Sequence, residues 1–593
     1  MKYKDALPEE TVKRLEQIFQ SLNISLGIIL KKRLDKVYSS IIYDASNWWS
    51  TGGKGTTEDY CLASGYAEAI EHLCNYCGYQ YRLVNEEARL FGGFLRYPDE
   101  MRVPILDAIH MNEAVFEDIR KSYSDDGTSF SDEQCAQGWA ELLNSTDATV
   151  VPFFSFKNNR TVFLPDEIIS RLSGSTGGGA GNTPYEALVH AFDEICERYA
   201  KYQIYMNQLT PPEIPMEYII ENCPDLYETI CHIQSKGYRV LVKDASLGKQ
   251  LPVISVALID PASQSYMIKF GAHLSFPIAL ERCLTEMFQS YSLDSNDSNG
   301  HKAFHHWCKT DGLDARLEGT WFNQLKDDTG AVPFQYFLSQ PSWRFEPWGI
   351  GLDFSNRAGV QFHLDNFNKL GCTDIFIRDL NFLGFPVYKV YIPGFSNSHL
   401  SMNRKVIHDF FIVNDVIDGI IKGQIDDVSK QRAVLIECFS KKSYIGEMLL
   451  KNIEDRLISV CHAALLYEET GDLSALQRIS ESNQYARSII FEFDLVDMGY
   501  VKEERIKLFE TMTDDRTQAV VACWREKYIF SSLVRCLIKS ISVESNAIAW
   551  DKFDSIRLSR THIDVKKMMM RNTPDQTAIE ELINSCFTSS ATE

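Results

Sequence analysis

The chain has 593 residues and lacks any run approaching the roughly 18–20 apolar residues that a membrane-spanning helix needs. No membrane association is therefore expected. Its first stretch, MKYKDALPEETVKRLEQIF, is charged and amphipathic, without an apolar core leading to a cleavage site, so no secretory signal is read there. A disulfide framework is missing too. The fifteen cysteines are odd in number and scattered over the whole length, a usage that suits a reducing cytoplasm. Nor is there an excess of basic charge: the net charge is −21, which argues against a direct grip on nucleic acid, where clustered Lys and Arg must neutralise phosphates. What remains is ordinary globular material, 45% hydrophobic and 24% charged, too long for one hydrophobic core.

Three common signatures are also absent. No G-x-S-x-G nucleophile elbow occurs. The stretch STGGKGTTEDYCLASGYAEAIEH, Ser50 to His72, brings glycines to a lysine but is no P-loop. A Walker A motif needs Gly, four residues, then Gly-Lys-Ser/Thr. Here Gly53-Lys54 is followed by Gly55, and Trp48 stands where the first glycine belongs. The later GSTGGGAGN does not follow a strand within a βαβ unit, as a dinucleotide site requires.

Turn and periodicity signals place a helix from Pro8 to about residue 40, then the Gly-rich stretch and a helix over about 58–76. A less regular, turn-rich region runs to about 145. ATVVPFFSF and RTVFLP read as a hairpin around Lys157-Asn158-Asn159, and glycines then lead into the helix of NTPYEALVHAFDEICERYAKYQ. Strands are expected in GYRVLVKDAS and in PVISVALIDPASQSYMIKFGAHL, turning at Asp260-Pro261. A helix in FPIALERCLTEMFQSY follows, then strands in GCTDIFIRDL and PVYKVYIPGF. From about Asn403 glycine and proline thin out and helical spacing dominates, with a helix–turn–helix joint at YEETGDLSAL. The expected fold class is α+β, with mixed strands and helices over 1–405 and an all-α domain over 406–593.

Three helices carry polar residues on one face. Ser64, Glu68 and Glu71 stand at i, i+4, i+7; Asn182, Glu186, His190, Glu194 and Glu197 repeat the pattern over nearly four turns; Arg282, Glu286 and Gln289 give it again. A solvated face is the bland alternative for any one of them. The flanks weigh against it: Leu62, Ala63, Ala67, Ala69 and Ile70 surround the first pair of glutamates, and Ala187, Leu188, Ala191, Phe192 and Ile195 the second set. An acidic stripe on a buried helix needs cations. Mg2+ prefers oxygen ligands and is commonly shared between carboxylates and substrate phosphates, so this stripe suits two or more Mg2+ bridging a triphosphate, with Lys54, Arg198 and Arg282 completing the charge balance.

At these residues the sequence resembles the YcaO family, whose ATP-binding fold is unrelated to P-loops. The signature is three helical motifs, read here as SGYAEAIEH, GNTPYEALVHAFDEICER and RCLTEMFQ. The resemblance extends to YKDALPEET, SLGKQLPVISVALIDP and YIPGFS, and is greatest to the long, stand-alone bacterial members, whose C-terminal part is a tetratricopeptide-like helical domain. It implies ATP and Mg2+ as cofactors. By position it implies that Lys4, Lys54 and Ser64 contact the nucleotide, that Glu68, Glu71, Glu186, Glu194, Glu197 and Glu286 bind Mg2+ directly or through water, and that Asn182, Arg198, Arg282 and Gln289 contact phosphates or orient those carboxylates. The chemistry implied is ATP-dependent activation of a backbone amide: a nucleophile adds to the carbonyl, the oxyanion takes the γ-phosphoryl group, and phosphate leaves.

For the long members the implied role is accessory to a radical methylthiotransferase, in β-methylthiolation of a small-subunit ribosomal protein. The implied partners are thus a protein or peptide substrate and that enzyme, and the helical domain is also compatible with self-association. Two alternatives stay open: maturation of a ribosomally made peptide by azoline, thioamide or amidine formation, and a non-catalytic scaffold that holds ATP. Two departures bear on the choice. His72 stands where the family writes Arg, and the chain ends SSATE where peptide-modifying members carry a proline-rich tail. Outside the resemblance, Cys74–Cys77 is the only CxxC pair and HKAFHHWC, with His301, His305, His306 and Cys308, the densest His/Cys cluster. Neither has the second half that a zinc site needs, so helix packing and a polar loop are the expected roles.

Overall fold

In the computed structural model, the residues described here are 4–22, 24–44, 49–75, 97–111, 130–143, 145–248, 250–289, 332–348, 355–396, 455–525 and 571–587, with a few isolated positions. They divide between two compact units. Unit 1 comprises Met1–Arg120, Leu143–Asn403 and Arg557–Glu593; unit 2 comprises Lys121–Leu142 and Arg404–Ile556.

Unit 1 mixes helices with antiparallel sheets. Strands β1 (Gly27–Leu34), β2 (Val37–Asp44) and β3 (Trp49–Gly55) form one sheet in that order. A second sheet has the order β4 (Met101–Pro104), β5 (Asp147–Ser155), then β12 (Phe376–Asp379), β13 (Val387–Tyr391) and β7 (Gly178–Ala180), with β6 (Arg160–Pro165) paired to β5. A third contains β8 (Arg239–Asp244), β9 (Val253–Asp260), β10 (Ser265–Ala272) and the two-residue β11 (His305–His306). The helices that matter for the site are α1 (Pro8–Ser21), α2 (Glu58–Cys74), α3 (Pro184–Met206), α4 (Phe276–Met287), α5 (Asn356–Lys369) and α6 (Ala578–Phe587).

The β5–β6 hairpin turns where expected, Ser155 facing Arg160, and β9–β10 turn at Asp260-Pro261, Asp260 facing Ser265. One expectation is corrected. The first helix stops at Ser21, and the residues up to 44 form the β1–β2 hairpin. This segment is rich in β-branched and aromatic residues, which pack well on a pleated surface, and Lys36 takes the positive φ of 60° that closes its turn. The Gly-rich stretch forms a strand. It is β3, and its glycines let α2 lie directly on it: a Cβ at Gly53 would come within 2.3 Å of the Cys61 carbonyl oxygen. Helices Met216–Asn222, Pro224–Ser235 and α5 add to those expected.

The core of unit 1 is built around the apolar side of α3, where Leu188, Phe192, Ile195 and Ile204 pack against Phe270 and Ala272 of β10, Val360 and Leu364 of α5, and Val390 of β13. The chain from Arg557 onward belongs to this unit rather than to the helical one, because α6 inserts Ile579, Ile583 and Cys586 into the same core. Its anchors are polar as well: Gln576 accepts from the Asp379 N–H and donates to its carbonyl, both at 2.9 Å.

Unit 2 is helical over its described residues, with Asp455–Thr470, Ser474–Ser480, Gln484–Asp497, Lys502–Met512 and Asp515–Arg525. The joint in YEETGDLSAL is a turn between the first two, and Asn483 caps the third through its side chain. No described helix is long and apolar enough to cross a membrane.

Candidate functional site

Four segments of unit 1 that are distant in sequence converge on one cavity of about 450 Å3. The N-terminal segment contributes Lys4, β3 contributes Lys54, and α2 contributes Ser64, Glu68, Glu71 and His72. The α3 region contributes Asn182, Glu186, His190, Glu194, Glu197 and Arg198, and the α4 region contributes Arg282, Glu286 and Gln289. Every residue expected at the site lines this cavity. The two ends of the pattern differ from the sequence reading, since Asn182 precedes α3 and Gln289 follows α4 instead of lying on them.

Local caps aim the faces. Thr57 accepts a hydrogen bond from the Tyr60 N–H at 3.2 Å and starts α2; Thr183 accepts from the Glu186 N–H at 3.2 Å and, with Pro184 in the first turn, starts α3. An N-cap oxygen of this kind is worth about 1 kcal/mol. Behind its cap, α3 is divided lengthwise, with apolar core residues on one side and Glu186, His190, Glu194 and Glu197 on the other.

The cations do not match the carboxylates evenly. Glu186 is well supplied: Lys4 donates to it at 3.1 Å, the Asp5 N–H at 3.1 Å and Asn182 Nδ2 at 3.2 Å. Burial works to raise its pKa, yet these donors outweigh burial and hold it below the usual carboxylate value. Lys54 contacts Glu286, and its backbone N–H reaches Ser64 Oγ at 3.5 Å. Glu194 accepts from the Gly177 N–H at 3.1 Å, and Arg198 lies 3.8 Å away. Burial nevertheless pushes Glu194 up to about 7, Arg198 offsetting only part of it and Glu197 adding to it. Glu71 is pushed well above its ordinary value, first by burial and then by Glu194 and Glu68. Burial raises Glu68 too, against the pull of Lys54.

These carboxylates crowd one another in a low-dielectric pocket, and a divalent cation would relieve that repulsion. Among the described residues no three or more His, Cys, Asp or Glu converge tightly enough to hold a metal ion unaided. Mg2+ does not require it, because it keeps several waters and takes one or two carboxylates together with phosphate oxygens. Inside the stripe, His190 keeps a buried Nδ1 without a hydrogen-bond partner. Burial first, then Arg282, Lys4 and Lys54, hold its pKa well below the ordinary value, so the ring is neutral. Burial likewise lowers His72. The donor set thus fits phosphate-bridged Mg2+.

The cavity holds further charged residues that the sequence reading missed: Lys201, Lys269 and Glu281. Lys201 continues the α3 stripe at i+7 from Glu194, a spacing visible in the sequence. Lys269 stands between Ile268 and Phe270 in β10, and Glu281 directly precedes Arg282. Burial pushes Glu281 up to about 7. Of the other singled-out residues, Cys74 is buried in the α2 packing. His305 and His306 form β11 against Ser265 and Tyr266. Cys77, His301 and Cys308 lie outside the described residues.

The family model that matches residues 52–396, more than half of the chain, is that of YcaO cyclodehydratase, ATP- and Mg2+-binding. An uncharacterised protein of Haemophilus influenzae is 26% identical over 462 residues, 72% of this chain and 75% of its own length. The Escherichia coli protein named ribosomal protein S12 methylthiotransferase accessory factor YcaO is 28% identical over 412 residues, 66% of each chain. Solved structures to which the chain shows similarity include a heterocyclase in complex with substrate and cofactor, 17% identical with a TM-score of 0.43, over 66% of this chain and 52% of that one. Another is YcaO from Methanopyrus kandleri bound with AMPPCP and Mg2+, 15% identical with a TM-score of 0.42, over 67% and 93%.

Proposed function

Because this chain belongs to the YcaO family, we propose that its acidic cavity binds ATP with Mg2+ and that the protein uses it to activate a backbone amide of a peptide or protein by phosphorylation. The observation that carries this reading is the convergence of all the expected residues, from four separate segments, on one cavity. The biological role we infer is that of an accessory factor in β-methylthiolation of a small-subunit ribosomal protein, the role named for the Escherichia coli relative.

Mg·ATP supplies a transferable phosphoryl group and the positive charge that offsets its own phosphates. The chain's part is to hold and orient, since phosphoryl transfer is catalysed chiefly by positioning and electrostatics. Lys4, Lys54, Arg198 and Arg282 face phosphate oxygens; Ser64, Asn182 and Gln289 add neutral polar contacts; Glu68, Glu71, Glu186, Glu194, Glu197 and Glu286 hold Mg2+. Burial and their acidic neighbours raise Glu71 and Glu194 above the ordinary carboxylate value, and a bound cation would favour their ionised form. The neutral His190 adds no charge to the stripe. Unit 2, in this reading a tetratricopeptide-like domain, docks the partner, a radical methylthiotransferase or the substrate protein.

A second reading, an ATP-holding scaffold without turnover, is favoured by His72, where a neutral ring replaces the guanidinium of the family motif. Titration of wild type and Glu194→Gln with Mg·ATP, followed by phosphate-release assays with candidate peptides and the ribosomal protein, separates the two. Absence of Mg·ATP binding at millimolar concentration sinks the nucleotide site itself. Binding without stimulated hydrolysis selects the scaffold.

A further inference from the structure

Behind the acidic stripe lies a buried carboxylate that the stripe does not include. Asp193 precedes Glu194 in α3, about 100° further round the helix, and is completely buried. Its two oxygens serve two different elements: Oδ2 accepts from Arg282 Nη1 of α4 at 3.1 Å, and Oδ1 lies 3.2 Å from His363 Nε2 of α5. His363 is itself completely buried and stacked on Phe192, ring centroids 5.3 Å apart. Its Nδ1 stands 3.9 Å from Cys196 Sγ, one turn further along α3.

Cysteine, histidine and aspartate in this order have the composition of a nucleophile triad, but the thiol cannot serve as one. Cys196 is closed off from solvent, and burial holds it well above the ordinary thiol value, hence protonated. A carboxylate only accepts, so His363 donates Nε2–H to Asp193, and Arg282 donates to the other oxygen. Arg282 Nη1 also donates to the Ala272 carbonyl of β10 at 2.6 Å. Both Nη1 hydrogens are thus taken by the protein, which leaves Nη2 and Nε–H as the remaining donors of a residue that lines the cavity.

We propose that Asp193 is a positioning residue, which with His363 fixes the Arg282 guanidinium in the orientation that meets a nucleotide phosphate. This inference rests on the reading of the cavity as an ATP site. Lysine at 282 could not reproduce the arrangement, because its single ammonium cannot bond Asp193 and Ala272 while also presenting a planar fork to the cavity. Asparagine at 193 could not either. It carries no negative charge for Arg282, and its NH2 must face either Arg282, a donor, or His363, which can accept it only in its other tautomer.

The test is a double-mutant cycle on Mg·ATP affinity in the full chain, read by calorimetry, with wild type, Asp193→Asn, Arg282→Lys and the double variant. Asp193→Asn is expected to weaken Mg·ATP binding at least tenfold in the wild-type background and less than twofold in the Arg282→Lys background. Equal weakening in both backgrounds, or none in either, overturns the proposal while leaving the nucleotide site standing. Failure of wild type to bind Mg·ATP overturns both. Should Asp193→Asn not fold, His363→Gln, which keeps an N–H donor, and His363→Phe, which does not, replace it. Retained affinity in the first and at least a fivefold loss in the second supports the proposal; wild-type affinity in both refutes it.

Discussion

Glu194 in unit 1 and Glu492 in unit 2 both sit on the inward side of a helix, and their surroundings differ in one respect. Glu492 is buried and has a dedicated cation: Arg505 Nε donates to it at 2.9 Å. Around Glu194 stand Glu71 and Glu197, and its arginine lies 3.8 Å away. The first arrangement is a structural ion pair, complete in itself. The second is short of positive charge and becomes complete only with something added. Burial of a carboxylate is therefore no sign of function; its balance against nearby cations is.

That contrast can be tested from both ends. The largest effect is expected from Glu194→Gln, which should weaken Mg·ATP binding about 100-fold while raising the apo protein's stability at pH 8. The carboxyl's rise to about 7 is worth on the order of 1–3 kcal/mol. Calorimetry and thermal melts of the same samples read both. Loss of affinity together with loss of stability would erase the contrast with Glu492. Glu492→Gln should do the reverse, because it strands Arg505. Unit 2 should lose about 3 kcal/mol in denaturant titrations, with Mg·ATP affinity unaltered.

Gly53→Ala probes whether the cavity depends on how closely α2 lies on β3. The added methyl would meet the Cys61 carbonyl oxygen at 2.3 Å and the Gly65 nitrogen at 2.7 Å. It should cost about 2 kcal/mol and loosen Mg·ATP several-fold by displacing Lys54. Wild-type melting and affinity would show that the backbone yields without consequence.

The smallest effect concerns Glu281. Its folded pKa of about 7 lies above its ordinary value, so the folded state binds the extra proton and stability falls as pH rises towards 7. The buried histidines His190 and His273, with lowered values, act oppositely below about 6.5. The informative comparison is therefore wild type against Glu281→Gln between pH 6.5 and 8. Wild type should lose about 0.5 kcal/mol more, after discounting for partial exposure. Parallel curves would show that Glu281 is solvated.

The polar faces were legible because a helix repeats every 3.6 residues and glutamates at that spacing among alanines are hard to explain otherwise. The β1–β2 hairpin was not. Its lysines and leucines are compatible with helix locally, and only the pairing of Ile29 with Ile41 and of Leu30 with Ser40 across the turn decides for strand. Asn182 and Gln289 were placed on helices that end short of them, as caps are the least certain part of a helical pattern. Asp193 was invisible for another reason. It lies off the stripe, and its partners Arg282 and His363 are 89 and 170 residues away, a pairing that no local pattern contains.

The return of α6 to the core of unit 1 has a consequence for biosynthesis. Between Asn403 and Arg557 the ribosome must make the larger part of unit 2, and at roughly 5–20 residues per second this takes on the order of ten to thirty seconds. Throughout that interval the pocket for Ile579 and Ile583, next to α5 and β12, waits uncovered. Nascent unit 1 is thus exposed to chaperones and proteases for longer than its position in the chain suggests. A premature stop late in the gene should therefore be felt first in the N-terminal fold.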